Sequence, residues 1–78
     1  MTSFFSRMRP STMVAIIVDL DDMNPEDYTD DDMRILHEAT MQLIALIGVH
    51  DAIEMLSDAD VSAENPVIDA AFYAAREA

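Results

Sequence analysis

The sequence predicts a mostly α-helical fold, a compact small helical bundle, and two observations carry that prediction. Residues 30–47, DDDMRILHEATMQLIALI, place apolar side chains at helical spacing over a long stretch. Asn-Pro pairs at 24–25 and 65–66 each combine an N-cap residue with a proline at the first helical position, which is a common way for a helix to begin. Several short helices with a long central one are therefore expected.

The length and composition predict a single acidic domain covering residues 1–78. A hydrophobic fraction of 51% is typical of a folded chain, although a domain of this size buries only about 60% of its unfolded surface. No apolar run approaches the roughly 18 residues that a membrane span needs. The chain has no cysteine, which favours a reducing compartment and predicts a cytoplasmic protein.

Residues 11–20, STMVAIIVDL, are compatible with a helix or a strand. Their β-branched side chains favour a strand, which would need residues 3–8 as its partner in a β-hairpin covering about residues 3–20. That alternative makes the fold α+β, but an isolated two-stranded ribbon is weak. A helix over 12–22 with Ser11 or Thr12 as N-cap is therefore favoured. Its buried face would contain Met13, Ile16, Ile17, Leu20 and Met23.

The next segment contains the clearest helix signals. Asn24 and Pro25 predict a short turn, and Thr29 then predicts a second N-cap with Asp32 completing a capping box. The helix that follows, 30–47, is expected to be the longest, and beyond residue 40 it is apolar almost all round, which is typical of a buried element. Its core-facing seam is expected to contain Met33, Leu36, Thr40, Leu43 and Ile47.

The remaining third of the chain predicts two more helices. Gly48, the single glycine, is expected to end the central helix or to kink it. A short helix over 50–58 follows, and a polar stretch then leads to the Asn65-Pro66 pair that begins the last helix, 66–78. The inner face of that last helix is expected to contain Ile68, Phe72 and Ala75.

The most unusual feature is the run DLDDMNPEDYTDDD, residues 19–32, with eight carboxylates in fourteen positions. These candidate partner-binding residues are Asp19, Asp21, Asp22, Glu26, Asp27, Asp30, Asp31 and Asp32. Five of them fall in first turns of expected helices, where the helix dipole stabilises a carboxylate by about 0.3–1 kcal/mol. Asp19, Asp21 and Asp22 lie at the end of a helix, where the dipole disfavours them. These three are therefore expected to have no structural role.

The net charge indicates the class of partner. Sixteen acidic residues against four arginines and no lysine give a formal charge of −12. Such a field repels nucleic acids and anionic membranes and attracts basic protein surfaces. We therefore expect a basic nucleic-acid-binding protein or complex as partner, and no direct nucleic acid or membrane contact. The chain itself is expected to be a monomer or a dimer joined through apolar surface.

Catalysis and metal binding are not expected. His50 and Glu54 are four positions apart and can share a helical face as metal ligands, but no third ligand is evident from the sequence. No nucleophile elbow occurs, and a domain this small has little room for a pocket that holds two carboxylates in different environments. The sequence therefore predicts a protein that is not an enzyme and uses no cofactor or metal.

A very short, cysteine-free and strongly acidic chain resembles the small phage-encoded anti-CRISPR proteins that mimic nucleic acids. The resemblance covers size, composition and charge over the whole chain and includes no sequence motif. It implies an inhibitor whose carboxylates replace DNA phosphates and block target-DNA binding by a Cascade-like CRISPR surveillance complex, in the host cytoplasm if the protein is phage-encoded. The alternative is a helical structural or assembly module that oligomerises through MQLIALIGV, residues 41–49.

Overall fold

The computed structural model describes residues 9–61 and 65–77, and these ranges contain helices and turns but no strand. In chain order the elements are α1 (Pro10–Asp21), a 3-10 turn (Pro25–Asp27), α2 (Asp30–Ile47), α3 (Val49–Asp58) and α4 (Pro66–Glu77). The predicted small helical bundle is confirmed. The alternative N-terminal β-hairpin is not supported, because its second half is helical; residues 3–8, its first half, lie outside the described residues.

Helix α1 begins earlier than the sequence predicted. Pro10 occupies its first turn and Arg9 is the N-cap, without a side-chain hydrogen bond, so Ser11 and Thr12 lie inside the helix rather than before it. A proline at this position needs no hydrogen bond for its nitrogen and already has a helical φ, which explains the start. Met13 is fully buried, as expected for the packed face. Packing of that face against α2 outweighs the strand propensity of the β-branched residues.

Helix α2 is the centre of the bundle and packs against the other three helices. Leu36, Thr40 and Leu43 are fully buried, as predicted, and the Thr40 hydroxyl donates to the carbonyl of Leu36 at 2.8 Å. The prediction was wrong for Met33, which is 39% exposed, and for complete burial beyond residue 40, because Leu46 is 51% exposed. The neighbouring helices therefore leave apolar side chains exposed in the first turn and in the last turn of α2.

Gly48 ends α2 and starts α3 without an intervening loop. Its φ of 91° and ψ of 160° lie in a region that is almost exclusive to glycine. Its N–H donates to the carbonyl of Ile44 at 2.8 Å, and its own carbonyl accepts the first hydrogen bond of α3 from Ala52 at 3.0 Å. The single glycine therefore ends the central helix and changes the chain direction.

Helix α3 ends in a Schellman motif that the sequence did not predict. Asp60 takes the left-handed position with a φ of 59°. The N–H of Asp60 donates to the carbonyl of Ser57 at 3.1 Å, and that of Val61 donates to the carbonyl of Leu56 at 3.0 Å. These bonds turn the chain back over the end of α3. The core is completed there by Leu56 of α3 and by Ile68 and Phe72 of α4.

Candidate interaction surface

The eight predicted carboxylates lie together where α1, the 3-10 turn and the start of α2 meet. We call this group, Asp19, Asp21, Asp22, Glu26, Asp27, Asp30, Asp31 and Asp32, the acidic corner. Six of the eight are exposed, whereas Asp21 and Asp32 are half-buried. Because the segment between α1 and α2 is short, the fold keeps these charges at one end of the helix pair.

The part of the acidic corner at the start of α2 has a local structural cause. Thr29 accepts the N–H of Asp32 at 3.1 Å, and the Asp32 carboxylate accepts the N–H of Thr29 at 3.2 Å, so the predicted capping box is present. Asp30 and Asp31 complete an acidic first turn, where the helix dipole favours them. Asp31 also pairs with Arg34 at 3.0 Å, although both side chains are largely exposed. A pair so exposed contributes little to stability.

The carboxylates on the α1 side have fewer local contacts. Asp19 and Asp22 are exposed, and no hydrogen bond or ion pair to their carboxylates occurs among the residues that the structure describes. Asp19 lies in the last turn of α1, where the dipole disfavours a negative charge. Asp22 is the residue that caps this end. Among the described residues, no side-chain contact therefore gives Asp19 or Asp22 a structural role.

Asp21 differs from them, because it belongs to a buried network around Asn65. The Asn65 side-chain amide is 5% exposed and donates to the Asp21 carboxylate and to the Tyr28 hydroxyl, each at 3.0 Å. Tyr28 in turn donates to the carbonyl of Leu20 at 2.6 Å, near the end of α1. The expectation that Asp21 has no structural role is corrected here, because its carboxylate joins α1 to the start of α4.

Asn65 is also the N-cap of α4, as the Asn-Pro pair predicted. Its side-chain oxygen accepts the N–H groups of Val67 at 3.0 Å and Ile68 at 3.4 Å. One amide thus caps a helix with its oxygen and bridges Asp21 and Tyr28 with its nitrogen. The sequence signal identified the cap but not the bridge, since 44 positions separate Asn65 from Asp21.

A second group of possible ligands lies in the first two turns of α3. The structure supplies the third ligand that was not evident in the sequence: Asp51 joins His50 and Glu54, and one ligand atom of each lies within 4.8 Å of the others. All three residues are exposed, and the nearest approach of His50 to Glu54 is 3.8 Å. The positive end of the α3 dipole disfavours a cation at this place. The group therefore does not define a metal site.

Comparison with known proteins gives no match to a family model, to a curated protein or to a solved structure. Among the helices of the described residues, none combines the length and apolar character required to cross a bilayer.

Proposed function

We propose that the chain is an acidic inhibitor, a phage anti-CRISPR protein, that occupies a basic DNA-binding surface of a Cascade-like surveillance complex. The observation that carries the proposal is the acidic corner, where six exposed carboxylates are gathered at one end of two packed helices. A single arginine, Arg34, is paired with this corner among the described residues. The local field is therefore strongly negative, and its most favourable partner is a Lys/Arg-lined groove.

The density of the carboxylates supports a phosphate mimic. Asp19 and Asp22 are three positions apart at the end of α1, and side chains at this spacing on a helix lie about 6 Å apart, similar to neighbouring phosphates on one DNA strand. Duplex DNA carries one charge per about 1.7 Å of axis, so a protein that offers a dense cluster competes for the same cations. The Asn65 network and the capping box restrain this corner, which lowers the ordering cost of binding.

The alternative is an assembly module that oligomerises through residues 41–49. Little apolar surface of this segment is exposed and free to form such an interface. Leu43 is fully buried and Ile44 is 8% exposed, because both belong to the core of the monomer. Leu46 is the large side chain of this segment that remains half-exposed.

The proposal is tested by competition for target DNA on a purified Cascade-like complex. The test variant replaces Asp19, Asp22 and Asp27 with Asn and Glu26 with Gln, which leaves the capping box and the Asn65 network intact. The control variant neutralises four exposed acids elsewhere, Glu54→Gln, Asp58→Asn, Asp60→Asn and Glu77→Gln. Both variants change the net charge from −12 to −8.

We expect the test variant to lose potency by at least about tenfold and the control variant by much less, because only the former changes the contact surface. Inhibition by the wild type should weaken steeply with salt, since exposed charges are screened over about 8 Å at physiological ionic strength. Equal potency of the two variants would show that total charge, and not the acidic corner, determines binding. Absence of inhibition by the wild type would reject the proposed target.

A further inference from the structure

A groove between α3 and α4 is lined mainly by apolar side chains and contains none of the carboxylates of the acidic corner. Its volume is about 230 Å³, and Leu56, Ile68 and Phe72 contribute to its apolar lining. Ile53, at its α3 side, is 42% exposed. Asp69 and Arg76, both on α4, are its charged residues.

The exposed side of α4 next to this groove has an ordered pattern. Asp69, Tyr73 and Arg76 are exposed and spaced i, i+4 and i+7, so they share one helical face, whereas Phe72 is 8% exposed and belongs to the core. The exposed face has an acid at one end, a base about two turns away at the other, and Tyr73 between them. Tyr73 is 65% exposed, the most exposed of the large apolar side chains in the described residues.

This pattern limits the partners that fit. A partner must place a cation opposite Asp69 and an anion opposite Arg76, with apolar surface between them. A uniformly basic helix would set like charges against Arg76, the one cation of α4. A second α4 in the antiparallel direction satisfies every requirement, since Asp69 then faces the partner subunit's Arg76 and Tyr73 lies beside the partner subunit's Tyr73 near the two-fold axis.

We infer that this face of α4, together with the groove beside it, is the interface of a two-fold homodimer. A two-fold interface requires a self-complementary surface, and an acid and a base on opposite sides of Tyr73 provide it. The inference goes beyond the proposed function, because none of its residues belongs to the acidic corner.

The net charge gives the dimer a distinctive salt dependence. Two copies that each carry −12 repel one another at long range, and added salt screens this repulsion. The dimer fraction should therefore rise between about 0.02 and 0.3 M salt, where the Debye length shortens severalfold. Binding of the acidic corner to a basic partner should instead weaken as salt is added. A failure of the dimer proposal can therefore be distinguished from a failure of the proposed function.

Sedimentation equilibrium at about 0.3 M salt tests the interface by charge reversal. Asp69→Arg should raise the dimer dissociation constant at least about tenfold because it opposes arginine to arginine, although it moves the net charge from −12 to −10 and so reduces repulsion. The double variant Asp69→Arg/Arg76→Asp should return the constant to within about threefold of the wild type. In the double variant an arginine replaces the acid in the first turn of α4 and an aspartate replaces the base in its last turn, so both charges oppose the helix dipole. Its α4 is therefore less stable than that of the wild type or of the single variant, and a more stable helix cannot explain the recovered dimer.

A matched pair of apolar variants locates the contact. Ile53→Gln should weaken the dimer, whereas Ile35→Gln should not, since Ile35 has nearly the same exposure, 38% against 42%, but lies outside the groove. The natural chain has no cysteine, so Tyr73→Cys provides a single thiol near the two-fold axis. A short bis-maleimide should link two such chains efficiently and should link Ile35→Cys chains poorly.

A wild-type chain that remains monomeric up to about 1 mM at this salt would overturn the inference. A dimer that the Asp69→Arg and Ile53→Gln variants form as well as the wild type would also overturn it, because the interface would then lie elsewhere. Circular dichroism of each variant establishes that the compared chains are folded.

Discussion

Asn65 offers the most direct test of how the acidic corner is held in place. Its oxygen caps α4, and its nitrogen bridges Asp21 and Tyr28. Three substitutions separate these roles. Asn65→Ser keeps a capping oxygen but removes the bridge, Asn65→Ala removes both, and Asn65→Asp keeps the cap while placing a carboxylate against Asp21.

The magnitudes follow from the contacts. Loss of a good N-cap costs about 1 kcal/mol. Loss of a hydrogen bond to a charged acceptor costs about 1.5–3 kcal/mol when buried, and about 1–1.5 kcal/mol here because Asp21 is half-exposed. We therefore expect losses of about 1–1.5 kcal/mol for Asn65→Ser and about 2–2.5 kcal/mol for Asn65→Ala. Asn65→Asp should equal or exceed the alanine variant, since two carboxylates about 3 Å apart repel each other.

Thermal and urea unfolding followed by circular dichroism measure these differences. A loss of 1 kcal/mol lowers Tm by about 4–8 °C in a domain of this size, so Asn65→Ala should melt roughly 8–20 °C below the wild type. An Asn65→Asp variant as stable as the wild type at neutral pH would refute the bridging role.

Three further predictions concern the backbone and the charge. Gly48→Ala should lower the free energy of unfolding, measured in urea, by about 1–3 kcal/mol. The loss comes from backbone strain alone, because a methyl group at this position meets no atom within 4 Å. An unchanged free energy of unfolding would contradict the positive φ of Gly48. Asp60→Gly should stabilise by about 0.5–1 kcal/mol, since it relieves the left-handed position that ends α3; a lower Tm would contradict this. Asp19→Asn should raise Tm slightly, by removing a charge at the unfavourable end of α1, and it should do so less at high salt.

Local signals in the sequence predicted much of the fold. The Thr29 capping box, the Asn65 cap and the turn at Gly48 are each specified within a few residues, and all three occur as predicted. Periodicity identified the fully buried Leu36 and Leu43 in the same way. The start of α1 was misplaced because Pro10 and the polar residues after it give competing signals, and the proline determines the helix start.

What the sequence could not predict depends on contacts between distant segments. Exposure of Met33 and Leu46 reflects how much of α2 its neighbours cover, which periodicity does not specify. The role of Asp21 depends on Asn65, far away in the chain, so no local pattern distinguishes Asp21 from Asp19. The third member of the His50 group was missed although Asp51 is adjacent in sequence, because helical spacing alone does not place i and i+1 on one face.

The long sequence separation between Asn65 and Asp21 has a consequence for folding. Helices α1 and α2 are neighbours in the chain and their contacts close only a short loop, whereas the bridge closes a loop of 44 residues and carries a larger entropic cost. The contacts of Asn65 with the acidic corner thus form only when the last helix docks. Removing α4 would loosen the acidic corner without deleting any of its carboxylates, so a C-terminally shortened chain should retain nearly all the charge and lose much of its order.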